Sequence, residues 1–215
     1  MKKGLTELMF ILDRSGSMGG LEADTIGGYN SLLNTQKEVK GEAYITTILF
    51  DQSTELFHDR IDLKGVKPMT KKDYQVGGST ALLDAIGFGI SKITKAIKQT
   101  EVDYQPEKVM VVIITDGEEN SSRNYTSDTI KAMINTQTKL GWEFIFLGAN
   151  IDAVETAANF GIDPSRATNY NNDTAGVELN YKVMSAAICS FRTSDKLEEN
   201  WKEAIEKDFD QRGNK

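Results

Sequence analysis

The sequence predicts an α/β fold: a doubly wound, mostly parallel sheet with helices on both faces and one antiparallel edge strand. Three observations carry this. Short apolar runs alternate with longer segments of helical periodicity, the pattern of successive βαβ units. The run Lys108–Thr115, KVMVVIIT, is the most apolar, as expected of a central parallel strand buried on both faces. Segment 82–98 is sharply periodic, with Leu82, Ile86, Ile90, Ile93 and Ile97 spaced by 4, 4, 3 and 4.

The remaining elements follow in order. Glu7–Leu12 is a short apolar run ended by a turn and reads as a buried strand. Residues 22–39 place Tyr29, Leu32, Leu33 and Val39 on one helical face, weakened by Gly27 and Gly28. Ala43–Phe50 is rich in Ile and Thr and reads as a strand. The turn Asp51-Gln52-Ser53 leads into Thr54–Arg60, and the pair predicts a hairpin with an antiparallel edge strand. A polar loop runs from Asp62 to Ser79. After the central strand come a helix at Thr126–Leu140 stopped by Gly141, a strand at Glu143–Leu147 and a short helix at Asp152–Phe160. Arg166–Asn169 reads as a short edge strand. Val177, Tyr181, Met184, Ile188 and Phe191 then mark a helix near 174–192. The expected domain is therefore 1–192, followed by a charged helix or tail over 193–215. Within that tail Leu197, Trp201, Ile205 and Phe209 form a narrow stripe, read either as docked on the α/β body or as an exposed partner surface.

Composition removes several function classes. The 215 residues carry 25 Lys and Arg against 32 Asp and Glu, a net charge of −7, so no basic face for nucleic acid is expected. One Cys, Cys189, excludes an intrachain disulfide and a thiolate zinc site, and one His, His58, excludes a His-based metal cluster. The apolar run Leu8–Leu12 is shorter than the roughly 7–15 residues of a signal core. No stretch approaches the roughly 18 apolar residues of a membrane span. The chain therefore reads as cytoplasmic, in keeping with its single Cys.

In an open α/β sheet ligands bind beyond the carboxyl ends of the strands. Three loops there carry small oxygen-bearing side chains: Asp13-Arg14-Ser15-Gly16-Ser17 after the first strand, Gly77-Gly78-Ser79-Thr80 before the best helix, and Asp116-Gly117-Glu118-Glu119-Asn120 after the central strand. The set Asp13, Ser15, Ser17, Thr80 and Asp116 offers oxygen only, mostly neutral hydroxyls with two carboxylates, which suits a hard cation such as Mg²⁺. Gly16 is expected to let the first turn take unusual backbone angles.

These residues resemble the metal-ion-dependent adhesion site (MIDAS) of von Willebrand factor type A (vWA) domains. The match is D-x-S-x-S at Asp13, Ser15 and Ser17, the lone Thr80, and T-D-G at Thr115-Asp116-Gly117, within FILDRSGSM, GGSTALLDAI and VVIITDGEEN. D-x-S-x-S alone occurs by chance in about one chain in twenty of this length; three parts in order at strand and helix boundaries carry the resemblance. It covers roughly residues 5–190 and points to the single-domain, intracellular bacterial type. It implies a six-stranded sheet ordered 3-2-1-4-5-6, with Ser15, Ser17 and Thr80 as direct ligands of Mg²⁺ (or Mn²⁺ or Ca²⁺) and Asp13 and Asp116 acting largely through water. It also implies a sixth position open to an Asp or Glu of a partner protein.

Plainer roles stand beside these. Asp13, Ser15 and Ser17 also suit a turn and N-cap, Thr80 an N-cap, and Asp116-Gly117 a turn. Asp84 reads as a first-turn residue favoured by the helix dipole, Glu118 and Glu119 as rim charges, and Asn150 and Asp152 as capping residues. His58 is expected to face solvent on its edge strand, and Cys189 to be a small buried hydrophobe. The functional expectation is a non-enzymatic, metal-dependent protein-binding module with no membrane or nucleic-acid partner. The alternatives are a Mg²⁺-dependent phosphatase with Asp13 as nucleophile and a scaffold subunit with an incidental metal site. The phosphatase reading lacks a second Asp two residues on and a phosphate loop, and His58 lies in no nucleophile-elbow pattern.

Overall fold

The computed structural model describes residues 1–194 and 196–212. Its strands are β1 (Lys2–Asp13), β2 (Glu42–Phe50), β3 (Thr54–Asp62), β4 (Pro106–Thr115), β5 (Trp142–Gly148) and β6 (Ala167–Asn169). Its helices are α1 (Glu22–Glu38), α2 (Leu82–Lys98), α3 (Ser127–Lys139), α4 (Ala153–Asn159), α5 (Thr174–Thr193) and α6 (Glu203–Arg212). The strands form one six-stranded sheet in the order β3-β2-β1-β4-β5-β6. Only β2 and β3 pair antiparallel; the other pairs are parallel.

Period two along β1 separates two cores. Leu8, Phe10 and Leu12 face a cluster shared with α1, α5 and α6, while Met9 and Ile11 face one shared with α2, α3 and α4. The strand begins at Lys2 rather than at Glu7. Its polar first residues are carried by the ladders on either side, where Leu5 pairs with Glu42 and Thr6 with Lys108. On the first face α5 lies along α1. Buried Arg192 donates from Nη1 to the Gln36 carbonyl at 2.6 Å, satisfying the open end of α1.

Four sequence expectations need correction. His58 is 4% exposed rather than solvent-facing. Its Nδ1 lies 3.1 Å from Thr47 Oγ1 and 3.3 Å from the Tyr29 hydroxyl, because Tyr29 of α1 covers that face of the edge strand. The loop 62–79 is not simply polar: Leu63, Val66, Met69 and Tyr74 are buried in the α1 cluster. Asn30 of α1 holds this loop, accepting from Met69 N at 2.8 Å and donating to Met69 O at 2.9 Å. Cys189 is half-buried, one residue past Ile188 and off the buried stripe of α5, with Gln36 Nε2 3.2 Å from its sulfur. Gly16 shows no positive φ; its backbone instead lies against Gly78, donating to the Gly78 carbonyl at 3.0 Å, and Gly78 takes the positive φ of 76°.

Beyond α5, Leu197, Trp201 and Ile205 are buried in the α1–α5 cluster, while Phe209 is half-buried. Trp201 Nε1 donates to Ser165 O at 3.0 Å and Lys202 Nζ to Ala167 O at 2.8 Å, which ties α6 and the residues before it to the β6 edge of the sheet.

Candidate metal centre

β1 and β4 are neighbours at the switch point of the strand order, so their carboxyl ends bring Asp13 and Asp116 to one place. Asp13 Oδ1 accepts from Ser15 N at 2.7 Å, and Asp13 Oδ2 accepts from Thr115 Oγ1 at 2.6 Å. The Ser15 and Ser17 hydroxyls are 3.0 Å apart. Ser17 Oγ donates to Asp116 Oδ1 at 2.5 Å. Thr80 joins them across Gly117: a Cβ on that glycine would lie 3.2 Å from Thr80 Oγ1 and 3.3 Å from Ser17 Oγ. All five residues picked from the sequence are thus gathered around one small polar cradle, which Gly117 keeps open.

The loops are also held by contacts within the chain. Arg14 is engaged by Asp51 at 3.1 Å and Glu55 at 2.5 Å. Tyr74 donates its hydroxyl to the Asp13 carbonyl. Thr80 N donates to Asn120 Oδ1 at 2.9 Å, while Asn120 N returns a bond to Thr80 O at 3.0 Å. Asp84 accepts from the backbone N–H groups of Arg123, Asn124 and Tyr125 at 2.9–3.0 Å, which is a loop clamp rather than a dipole contact alone. Glu119, expected at the rim, accepts from Leu83 N, Ser121 N and Ser122 N at 2.7–2.9 Å. Glu118 is exposed.

The plainer roles are partly present. Asp13 does make an Asx turn with Ser15, and Asp152 caps α4, accepting from Glu155 N at 2.8 Å. Thr80 is not an N-cap: Ala81 holds that position in α2, with no side-chain cap bond. Asn150, with φ 55°, reaches back to Asp116 O at 3.4 Å instead of capping.

Two side chains escaped the sequence reading as site residues. Thr115, within the T-D-G motif, is fully buried and holds Asp13. Asn172, from the loop between β6 and α5, donates its Nδ2 to Asp116 Oδ2 at 3.2 Å. Nothing near Asn172 in the sequence signals this; the topology alone brings its loop to Asp116.

The electrostatics are unbalanced. Burial pushes the Asp13 carboxyl above its ordinary range against the Thr115 and Ser15 bonds. Burial raises Asp116 too, and the nearby Asp13 charge adds to it. Among the described residues the donors to the two carboxylates include Ser15 N, Thr115, Ser17 and Asn172, all neutral. Among the described residues no group of three or more His, Cys, Asp or Glu is placed to hold a metal. A cation here would draw on hydroxyls as well as the two carboxylates, a donor set suited to a hard cation.

No protein-family model matches the chain, and no curated protein matches its sequence. Solved structures do match its fold. A zinc-occupied MIDAS structure of proximal thread matrix protein 1 from the mussel byssus aligns with TM-score 0.58 at 13% identity, over 86% of this chain and 46% of that one. The von Willebrand factor type A structure from Catenulispora acidiphila aligns with TM-score 0.57 at 12% identity, over 86% and 42%. A D319A mutant of the PilB minor pilin from Streptococcus sanguinis aligns with TM-score 0.62 at 11% identity, over 88% and 63%. The chain therefore spans between 42% and 63% of the length of these three proteins, and it has a vWA-like fold. No helix among the described residues is long and apolar enough to cross a membrane.

Proposed function

We propose that this chain is a vWA-family protein-binding module, of the single-domain bacterial cytoplasmic type, whose Mg²⁺ binds an Asp or Glu of a partner protein. Ser15, Ser17 and Thr80 supply direct oxygen ligands, and Asp13 and Asp116 act mainly through bound water. The observation that carries this is the convergence of three hydroxyls and two buried, neutrally partnered carboxylates on the cradle beside Gly117. When bound, the metal supplies a positive charge that neutral hydroxyls leave under-compensated, and a partner carboxylate completes it. Mn²⁺ or Ca²⁺ could take the same oxygen set. In this reading the vWA-like domain is 1–192, followed by a charged C-terminal helix or tail over 193–215, within which Glu203–Arg212 forms α6. The module is, in this reading, non-enzymatic, which is supported by Arg14, next to Asp13 in the sequence, being engaged by Asp51 and Glu55.

The test is thermal unfolding in Mg²⁺ and in EDTA. A ligand that binds only the folded state stabilises by about 2.7 kcal/mol at 100 Kd. The melting temperature should rise with Mg²⁺, and Asp13→Ala should abolish the rise. An equal rise in Asp13→Ala refutes the metal assignment. A metal-dependent phosphatase rate that disappears in Asp116→Ala would favour the enzyme reading instead.

A further inference from the structure

Asn172 sits between two residues that α6 holds. On one side Asn171 Nδ2 donates to Asp208 Oδ2 at 2.9 Å and to Asp208 O at 3.1 Å. On the other, Asp173 accepts from Arg212 Nη1 at 2.5 Å. Arg212 in turn grips Asp208 with two further bonds, Nε to Oδ1 at 2.8 Å and Nη2 to Oδ2 at 2.5 Å. The Arg212 hydrogen bonds hold the Asp173 and Asp208 carboxyls below their ordinary range. A third tether runs to α1, where Thr174 Oγ1 donates to Asp24 Oδ2 at 2.8 Å. The loop 171–174 is therefore fixed on both sides of the one residue that reaches Asp116.

The Asn172 amide itself is half used. Nδ2 must be the end facing the Asp116 carboxylate, since only it can donate. Its Oδ1 is buried and has no hydrogen-bond partner among the described residues. A buried amide oxygen left unpaired calls for a donor, and a water bound to a cation beside Asp116 is such a donor.

We propose that Asn172 is a positioning residue of the metal centre, holding Asp116 through its amide, and that α6 sets its place through Asp208 and Arg212. The proposal rests on the metal reading given above. It makes the C-terminal helix, whose hydrogen bonds to this region go to Asn171 and Asp173 and not to the five ligand residues, a determinant of metal affinity. The link is physical: Arg212 to Asp173 and Asp208, Asp208 to Asn171, and Asn172 to Asp116, three residues of one short loop.

The experiment is Mn²⁺ titration of the full chain, following free Mn²⁺ by electron paramagnetic resonance, with unfolding in EDTA run in parallel. Removing a partner that orients a metal ligand typically costs about 10–100-fold in affinity. Asn172→Leu should raise the Mn²⁺ Kd by roughly that factor. Arg212→Ala should raise it less, in the same direction. Lys207→Ala breaks only the Lys207–Glu203 pair of the same helix and should leave the Kd unchanged. In wild-type protein the Asn172 side-chain amide resonance should shift on Mg²⁺ addition, a signal that a purely structural loop tether would not give and that needs no variant to fold. Unchanged Kd in Asn172→Leu, with Mn²⁺ binding lost in Asp13→Ala, overturns this proposal and leaves the metal reading standing. Arg212→Ala behaving as Lys207→Ala removes α6 from it. Absence of Mn²⁺ binding by the wild type overturns both.

Discussion

Strand β1 buries one acid at its middle, Glu7, and one at its carboxyl end, Asp13, and the fold treats the two differently. Glu7 has no exposed side-chain surface and receives Arg60 from the edge strand β3, with Arg60 Nε 2.9 Å from Glu7 Oε2. Asp13 is also buried, yet its side-chain partners are a hydroxyl and a backbone N–H, and its charged neighbour is another acid, Asp116. Burial raises the pKa of all three carboxyls; Arg60 opposes this at Glu7, while the Asp13 charge reinforces it at Asp116. The middle of the strand thus has its charge satisfied from within the chain. The carboxyl end uses neutral donors and remains suited to a cation from outside. A buried charge by itself does not mark a binding site; the kind of partner supplied to it does.

The largest effect expected is at the self-sufficient mid-strand pair. Arg60→Ala leaves Glu7 buried and without its cation and should cost about 3–5 kcal/mol in urea unfolding at neutral pH. The loss should shrink as pH falls and Glu7 takes up a proton. It should leave the Mg²⁺-induced rise in melting temperature intact; loss of that rise would erase the distinction between the two acids. Replacing the pair together, Glu7→Gln with Arg60→Met, should recover most of the stability, because paired removal strands no charge.

Next in size is a reversal of order at the open end. Asp116→Asn relieves the repulsion with Asp13, so in EDTA it should melt above wild type, by roughly 2–4 °C for each kcal/mol relieved. In saturating Mg²⁺ it should melt below wild type. A variant that melts below wild type in both conditions would mean that the two carboxylates do not oppose each other.

The smallest effect is the pH dependence carried by Glu7. Its folded-state pKa lies above the ordinary 4.5, so the folded chain binds more protons than the unfolded chain in the window just above that value. Stability from this group is fully present below the unfolded pKa and is lost across that window as pH rises through the folded pKa. Glu7→Gln should flatten the profile there, as read by urea midpoints across mildly acidic pH. An unchanged slope would place the titration elsewhere.

Much of this was legible in the chain itself. Helical spacing of 4, 4, 3 and 4 in α2 and the apolar run of β4 define elements whose faces are buried whatever packs on them, so period and composition suffice. Asp13, Ser15, Ser17, Thr80 and Asp116 were readable because each stands at the end of a strand or the start of a helix, and a parallel sheet collects such ends at one edge. His58 was misread because period two says only that a residue faces one side of the sheet; whether that side is wet depended on Tyr29, far away in the chain. The buried residues of loop 62–79 were missed because they follow no period, and their cover comes from α1.

The amino-acid sequence by itself determined the order of elements along the chain and the oxygen-only donor set, since both follow from local pattern, while the strand order and its switch point were implied by the family resemblance. The tertiary structure alone decided that Arg60 answers Glu7, that Thr115 holds Asp13 and that Asn172 reaches Asp116 from a loop held by α6. Each of those joins two side chains more than fifty positions apart through one local contact. A bond of that kind leaves no periodic trace in the sequence, because it depends on where folding brings two side chains and not on what surrounds either of them along the chain.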